Sequence, residues 1–131
     1  MEQALNPTFK EDSMTTLICY DRCSTCQKAE KWLQDQKISY VKRPIKDENP
    51  SADELAFWSD RSGLPLKRFF NTSGLLYKQY GLKDKLSLME REEMLTLLAT
   101  DGMLVKRPLL VTDNTVLVGF RPDEWSKILK D

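Results

Sequence analysis

The amino-acid sequence predicts an α/β fold in the order β-α-β, a helical insert, then β-β-α. Three observations carry this expectation: a β-prone run that leads straight into a helical pattern, an alternating run just after it, and a late pair of apolar runs split by Asp113-Asn114. Each element follows from local chemistry.

Thr16-Leu17-Ile18-Cys19-Tyr20 is the first strand candidate, bounded by polar residues. From about Ser24 to Gln36 helix formers carry apolar positions at Cys26, Ala29, Trp32 and Leu33, so a strand feeds a helix with Cys23 at the junction. Ile38 to Lys42 alternates in the manner of a half-buried strand, and Pro44 is expected to end it. A strand, helix and strand in this order make two parallel neighbours of one sheet.

Residues 51 to 102 read as helical. Ser51-Ala52-Asp53-Glu54 has capping-box spacing ahead of Leu55, Phe57 and Trp58, and Gly63-Leu64-Pro65 supplies a stop. A second box, Ser87-Leu88-Met89-Glu90, is expected to open a helix through Met94, Leu95 and Leu98 that closes at Asp101-Gly102. Between them, Leu66 to Gly81 is expected to hold two short helical turns around the loop Asn71-Thr72-Ser73-Gly74. Strands then return at Pro108 to Thr112 and Thr115 to Val118, joined by a tight turn at Asp113-Asn114. The last helix starts near Pro122, with proline at its first position and Asp123 and Glu124 in its first turn. This is the topology of a thioredoxin-like domain. Residues 1–13 lack periodicity and read as a flexible extension, which leaves residues 14–131 as one domain with its insertion at about 51–102.

Composition narrows the function. A chain of 131 residues can bury roughly two thirds of its unfolded surface without covalent staples. Its three cysteines all lie between positions 19 and 26, too close together to clamp distant segments, and an odd count fits a reducing cytoplasm better than an oxidising exterior. The N-terminal residues lack the basic-then-apolar order of a signal peptide, and no apolar run approaches the ~20 residues of a membrane helix. A cytoplasmic protein with no membrane partner is expected. Lys plus Arg and Asp plus Glu both number 20, a balance that gives no electrostatic footprint for direct nucleic-acid binding.

There is no histidine, which removes Cys-His and Ser-His-Asp catalysis and the commonest neutral metal ligand. Cys23-Ser-Thr-Cys26 could be half a zinc site, an inert buried pair or a redox pair. Zinc wants four ligands, and this chain offers three cysteines and no second pair, so no metal is expected. Position supports redox chemistry. Cys23 stands where the free N–H groups of a helix N-terminus converge and favour a thiolate. Cys26, one turn deeper, can attack a mixed disulfide on Cys23 and release the other half. Cys19, on the strand, reads as packing. Cys23 is therefore the candidate nucleophile and Cys26 the candidate resolving thiol.

Cys23-Ser-Thr-Cys-Gln-Lys-Ala-Glu-Lys-Trp-Leu, Lys106-Arg107-Pro108 and Gly119-Phe120-Arg121-Pro122 together resemble the arsenate reductase family in its broad sense, which includes the Spx-type transcription regulators. The resemblance runs from about Thr15 to Lys130 and implies a thioredoxin-like fold with a catalytic cysteine after the first strand and arginines that hold an oxyanion near it. By this resemblance Cys23 is the nucleophile and Arg107 and Arg121 bind the anion. Arg107 precedes Pro108, a proline that in such folds is usually cis and faces the cysteine. Planar guanidinium forks suit tetrahedral oxyanions on general grounds too; the bland alternative for both arginines is a surface ion pair.

Two departures bear on the substrate. Glutaredoxin-coupled arsenate reductases carry a third anion-binding arginine six residues before a tyrosine; here Asn71 takes that place before Tyr77. Cys26 stands where those enzymes usually carry serine and instead resembles the Cys-X-X-Cys switch of the Spx-type regulators. Those regulators continue into a longer basic tail beyond the last hairpin, which points this chain to the reductase-like branch.

The expectation is a monomeric thiol-dependent oxidoreductase with no bound cofactor. Its reductant would be glutathione with glutaredoxin, or thioredoxin, and Arg107 and Arg121, with Asn71 beside them, would hold a small anionic substrate or glutathione's carboxylates; the other reading of the Asn71 loop is a plain helix-connecting turn. The alternatives are a non-enzymatic redox sensor that binds RNA polymerase or another protein, and a glutaredoxin-coupled arsenate reductase.

Overall fold

The computed structural model describes residues 15–129, so the extension expected over residues 1–13 lies outside the described residues. Four strands form one sheet: β1 (Thr16–Cys19), β2 (Val41–Pro44), β3 (Leu109–Val111) and β4 (Val116–Val118). Their spatial order is β2-β1-β3-β4, with β1 and β2 parallel and the other pairs antiparallel. Six α-helices accompany them: α1 (Ser24–Asp35), α2 (Ala52–Ser62), α3 (Leu75–Gln79), α4 (Leu82–Lys85), α5 (Arg91–Leu98) and α6 (Pro122–Leu129). The fold is thioredoxin-like, with α2 to α5 inserted between β2 and β3.

Alternation along the strands sorts the core into two layers. Ile18, Leu109 and Val116 face the insert and pack with Leu55, Trp58, Phe69, Phe70 and Leu98. Leu17, Cys19, Leu110 and Leu117 face the other way and pack with Cys26, Ala29 and Leu33 of α1 and Trp125 of α6. Trp125 is fully buried, and its indole N–H donates to the Gly119 carbonyl at 3.2 Å, so the largest side chain in this layer leaves no polar atom unpaired. No helix among the described residues is long and apolar enough to cross a membrane.

Several expected boundaries are corrected. The second strand runs Val41–Pro44, not Ile38–Lys42. Lys37 adopts a positive φ of 59° after α1, and the Ile38 N–H returns to the Leu33 carbonyl at 3.0 Å, so residues 38 to 40 are spent in the crossover. Pro44 pairs with Cys19 instead of ending the strand before it, which is tolerated because β2 is an edge strand and a missing N–H can face outward. The box expected at Ser87 to Glu90 shifts by three residues. Ser87 lies in the 3₁₀ turn Leu86–Leu88, Glu90 becomes the N-cap of α5, and the Glu93 carboxylate accepts from the Glu90 N–H at 2.9 Å. Asp101-Gly102 does not simply end a helix: Asp101 caps a further 3₁₀ turn, Gly102–Leu104, by accepting from the Met103 N–H at 2.8 Å. The box at Ser51 and Glu54 is present as expected, with Gly63 at φ 73° closing α2.

Candidate active site

Cys23 is the N-cap of α1, in an extended conformation, and its side chain caps nothing. Its N–H donates to the Tyr20 carbonyl at 3.0 Å and its carbonyl accepts from the Gln27 N–H at 3.0 Å, so the backbone is held while the half-buried thiol remains available. The unpaired amides of the first turn of α1 surround this position and favour negative charge there.

Cys26, three residues on, is 1% exposed. Its sulfur accepts from the Tyr20 N–H at 3.3 Å, and it shares a buried cluster with Cys19, against which Cys23 packs. The hydrogen bond from Cys26 holds the Cys19 thiol below its ordinary range, and loss of that bond together with burial holds Cys26 far above it. All three cysteines are free thiols.

The other walls of the site come from distant parts of the chain. Phe70 and Val105 form an isolated antiparallel bridge. With it, the Asn71 N–H donates to the Leu104 carbonyl at 2.8 Å and the Lys106 N–H to the Phe69 carbonyl at 2.7 Å, which lays the 71–74 loop beside Lys106-Arg107. The peptide between Arg107 and Pro108 is cis. On the third side, Gly119 at φ 78° turns the chain out of β4 and donates its N–H to the Pro108 carbonyl at 2.8 Å, which brings Arg121 to the same rim. A side chain at Gly119 would be strained at that φ and would crowd the Lys106 stem at 3.4 Å.

These three arms enclose a cleft of about 480 Å³ that joins Cys23 to Asn71, Arg107 and Arg121. The structure thus brings the candidate residues of the sequence together around one opening. It adds Lys67, Arg68 and Lys106, which sequence reasoning did not single out as ligands. Five cationic side chains and no carboxylate line the cleft. An overall charge of zero conceals this segregation. The signal that could have found Lys67-Arg68 is the adjacent basic pair just before the loop at Asn71, but only the 3₁₀ turn Leu66–Phe69 turns it toward Cys23.

Arg107 is the distinctive member. Its Cζ lies 5.2 Å from the centroid of the Tyr20 ring, and its Nε and Nη1 are buried without a hydrogen-bond partner among the described residues. Buried guanidinium donors are costly to leave unpaired, so their orphaned state marks a place where an acceptor belongs. The surface ion pair weighed for this residue is absent from the described structure. Asn71 is 8% exposed and its Oδ1 accepts from the Ser73 hydroxyl at 3.3 Å. Among the described residues no group of three or more His, Cys, Asp or Glu side chains is placed to hold a metal ion.

The model of the ArsC family matches residues 19–128, from the end of β1 through nearly all of α6. The chain belongs to the ArsC family. Among curated ArsC relatives, the uncharacterized protein YusI of Bacillus subtilis is 45% identical over 86% of this chain and 95% of its own, and the regulatory protein MgsR of the same organism is 26% identical over 91% and 93%. Among solved structures, a putative ArsC family related protein from Bacteroides fragilis has a TM-score of 0.85 and 56% identity over 86% of this chain and 95% of its own. A possible arsenate reductase from Streptococcus mutans UA159 has a TM-score of 0.78 and 45% identity over 83% and 92%. Of these four relatives, one is named a regulatory protein and one a possible arsenate reductase.

Proposed function

We propose that the chain is a thiol-dependent oxidoreductase acting on a small anionic substrate. The observation that carries this reading is the half-buried Arg107, with Nε and Nη1 buried and unpartnered among the described residues, in a cleft shared with Cys23 and free of carboxylates. An oxyanion fits that vacancy in charge and in hydrogen-bonding capacity. Arg107 and Arg121 hold the anion, and Asn71 supplies a neutral polar contact where a third arginine would add charge.

In the reaction, the Cys23 thiolate attacks the electrophilic centre of the bound oxyanion, and one oxygen of that centre takes up protons and leaves as water. Cys26 then attacks Cys23 sulfur, the bond from Cys23 to the substrate breaks, and its electron pair leaves with the reduced product. Two thiols become one disulfide, and two protons are released to the product or to water. A dithiol reductant of the glutathione–glutaredoxin or thioredoxin class returns two electrons and restores the thiols. Burial and the raised titration of Cys26 keep it protonated until a bond at Cys23 draws it in, which orders the two steps.

The test is a coupled turnover assay with arsenate and other oxyanions, using glutathione with glutaredoxin or thioredoxin as reductant. Cys23→Ser should abolish turnover and Cys26→Ser should trap a Cys23 adduct visible by mass spectrometry. A rate unchanged by Cys23→Ser rejects the reading.

A second reading, a redox sensor that binds a protein such as RNA polymerase, is supported by the name of MgsR and by the Cys-X-X-Cys pair. Its mark is a complex recovered by pull-down whose yield differs between reduced and oxidised forms. Equal yields from both forms dispose of it.

A further inference from the structure

The third cysteine is the one reactive group near the site that the proposed reaction leaves unused. Cys19 ends β1 on the sheet face that α1 covers, so its side chain lies on the same side as Cys26. Both are 1% exposed and sit among Leu17, Ala29, Leu33 and Trp125. Nothing polar in that set competes for their sulfurs. The Cys26 sulfur accepts from the N–H of Tyr20, the residue next to Cys19, at 3.3 Å, and Cys23 packs against the same cluster, so the three thiols are neighbours across the seam between sheet and helix.

We infer that Cys19 is a second resolving thiol and that the three cysteines form a relay in which the disulfide moves from Cys23–Cys26 to Cys19–Cys26. This rests on the reading of Cys23 and Cys26 as the redox pair. In the step, the Cys19 sulfur attacks the Cys26 sulfur and its proton passes to water. The Cys19–Cys26 bond forms, the Cys23–Cys26 bond breaks, and Cys23 leaves as a thiolate. One disulfide replaces another, so no oxidant or reductant is consumed. The direction is favoured by the leaving group, because Cys23 departs into a helix N-terminus and a cleft lined by five cations, where its charge is stabilised. The result is an oxidised protein whose nucleophile is free again, with the disulfide stored in the apolar layer.

The experiment is a disulfide time course on the full chain. Reduced protein is treated with one equivalent of diamide, quenched from seconds to hours in N-ethylmaleimide under denaturing conditions, and digested with trypsin without reductant. Cleavage after Arg22 separates Cys19 from the peptide that holds Cys23 and Cys26, so the two disulfides differ in mass and in peptide count. The expected result is an early Cys23–Cys26 bond that converts to Cys19–Cys26 with Cys23 alkylated. Cys19→Ala should stop at Cys23–Cys26, and Cys23→Ser should form Cys19–Cys26 at least ~10-fold more slowly than the wild type. Wild-type protein that keeps only Cys23–Cys26, with Cys19 alkylated after hours, overturns the relay and leaves the redox pair standing. Formation of Cys19–Cys26 in Cys23→Ser at the wild-type rate also overturns it. Absence of Cys23–Cys26 from folded Cys19→Ala overturns the redox pair and the relay together. The wild-type course decides the relay without any variant should Cys19→Ala fail to fold.

Discussion

Arg107 stands over the ring of Tyr20, its Cζ 5.2 Å from the ring centroid, with two guanidinium nitrogens buried and unpartnered. The ring supplies some of the stabilisation that an acceptor would supply, and the remainder waits for the ligand. Arg107→Met should therefore act in opposite directions on binding and on stability. Affinity for phosphate or arsenate, measured by calorimetry, should fall at least ~10-fold because a charge-assisted pair is lost. The anion-free protein should melt at the same or a higher temperature, since two buried donors without partners are removed. A variant that melts well below the wild type without ligand would show that Arg107 serves the fold.

Asn71 lines the cleft opposite Cys23 and is held by its neighbours, with the Gly74 N–H donating to its carbonyl at 3.1 Å. A Cβ at Gly74 would meet the Asn71 amide nitrogen at 2.6 Å, so Gly74→Ala should displace that side chain. Asn71→Arg adds a further guanidinium to a cleft open to solvent and should tighten oxyanion binding by about tenfold. Titration of both variants with phosphate checks this: Asn71→Arg should bind more tightly, and Gly74→Ala should differ from the wild type.

Arg43 and Glu54 form a paired contact with N–O distances of 2.7 and 2.9 Å, which ties β2 to the first turn of α2. The Arg43 guanidinium, ahead of the capping bonds at Ser51, holds the Glu54 carboxyl down at about 2, below its ordinary 4.5. Glu54 binds its proton more weakly when folded than when unfolded. Its stabilisation is present above about 4.5 and is lost as pH falls from there toward about 2. Urea midpoints across this window should drop less steeply for Glu54→Gln than for the wild type.

Gly102 packs directly on the chain after β2: a Cβ there would lie 1.9 Å from the Ile45 carbonyl oxygen and 2.7 Å from its carbon. Backbone is in the way, so no rotamer relieves the clash. Gly102→Ala should cost about 2 kcal/mol or more in denaturant unfolding. It should also weaken anion binding, because Leu104 and Val105, just beyond, hold the Asn71 loop against Lys106-Arg107.

What sequence reasoning reached was whatever is written in neighbouring residues. A β-prone run before a helical one, the box at Ser51 and Glu54, Asp113-Asn114 between two apolar runs and Pro122 ahead of two acids each specify an element through local sterics and hydrogen bonding, and together they determine the thioredoxin-like order. They also determine that Cys23 caps a helix. Where the competing choice was tertiary, the reading slipped: Val41–Pro44 is a strand because β1 lies beside it, and Glu90, not Ser87, caps α5. The cleft belongs wholly to that second kind of information. Lys67, Asn71, Arg107 and Arg121 are spread over more than fifty residues, and only the Phe70–Val105 bridge and the Gly119–Pro108 hydrogen bond turn them toward one thiol. The same holds for Cys19 and Cys26, seven residues apart in the chain and on different elements, which share one buried cluster because one sheet face and one helix face bury each other. Charge balance and cysteine spacing are properties of the chain; two unpartnered guanidinium nitrogens and a pair of neighbouring buried thiols exist only once distant groups have been removed from water together.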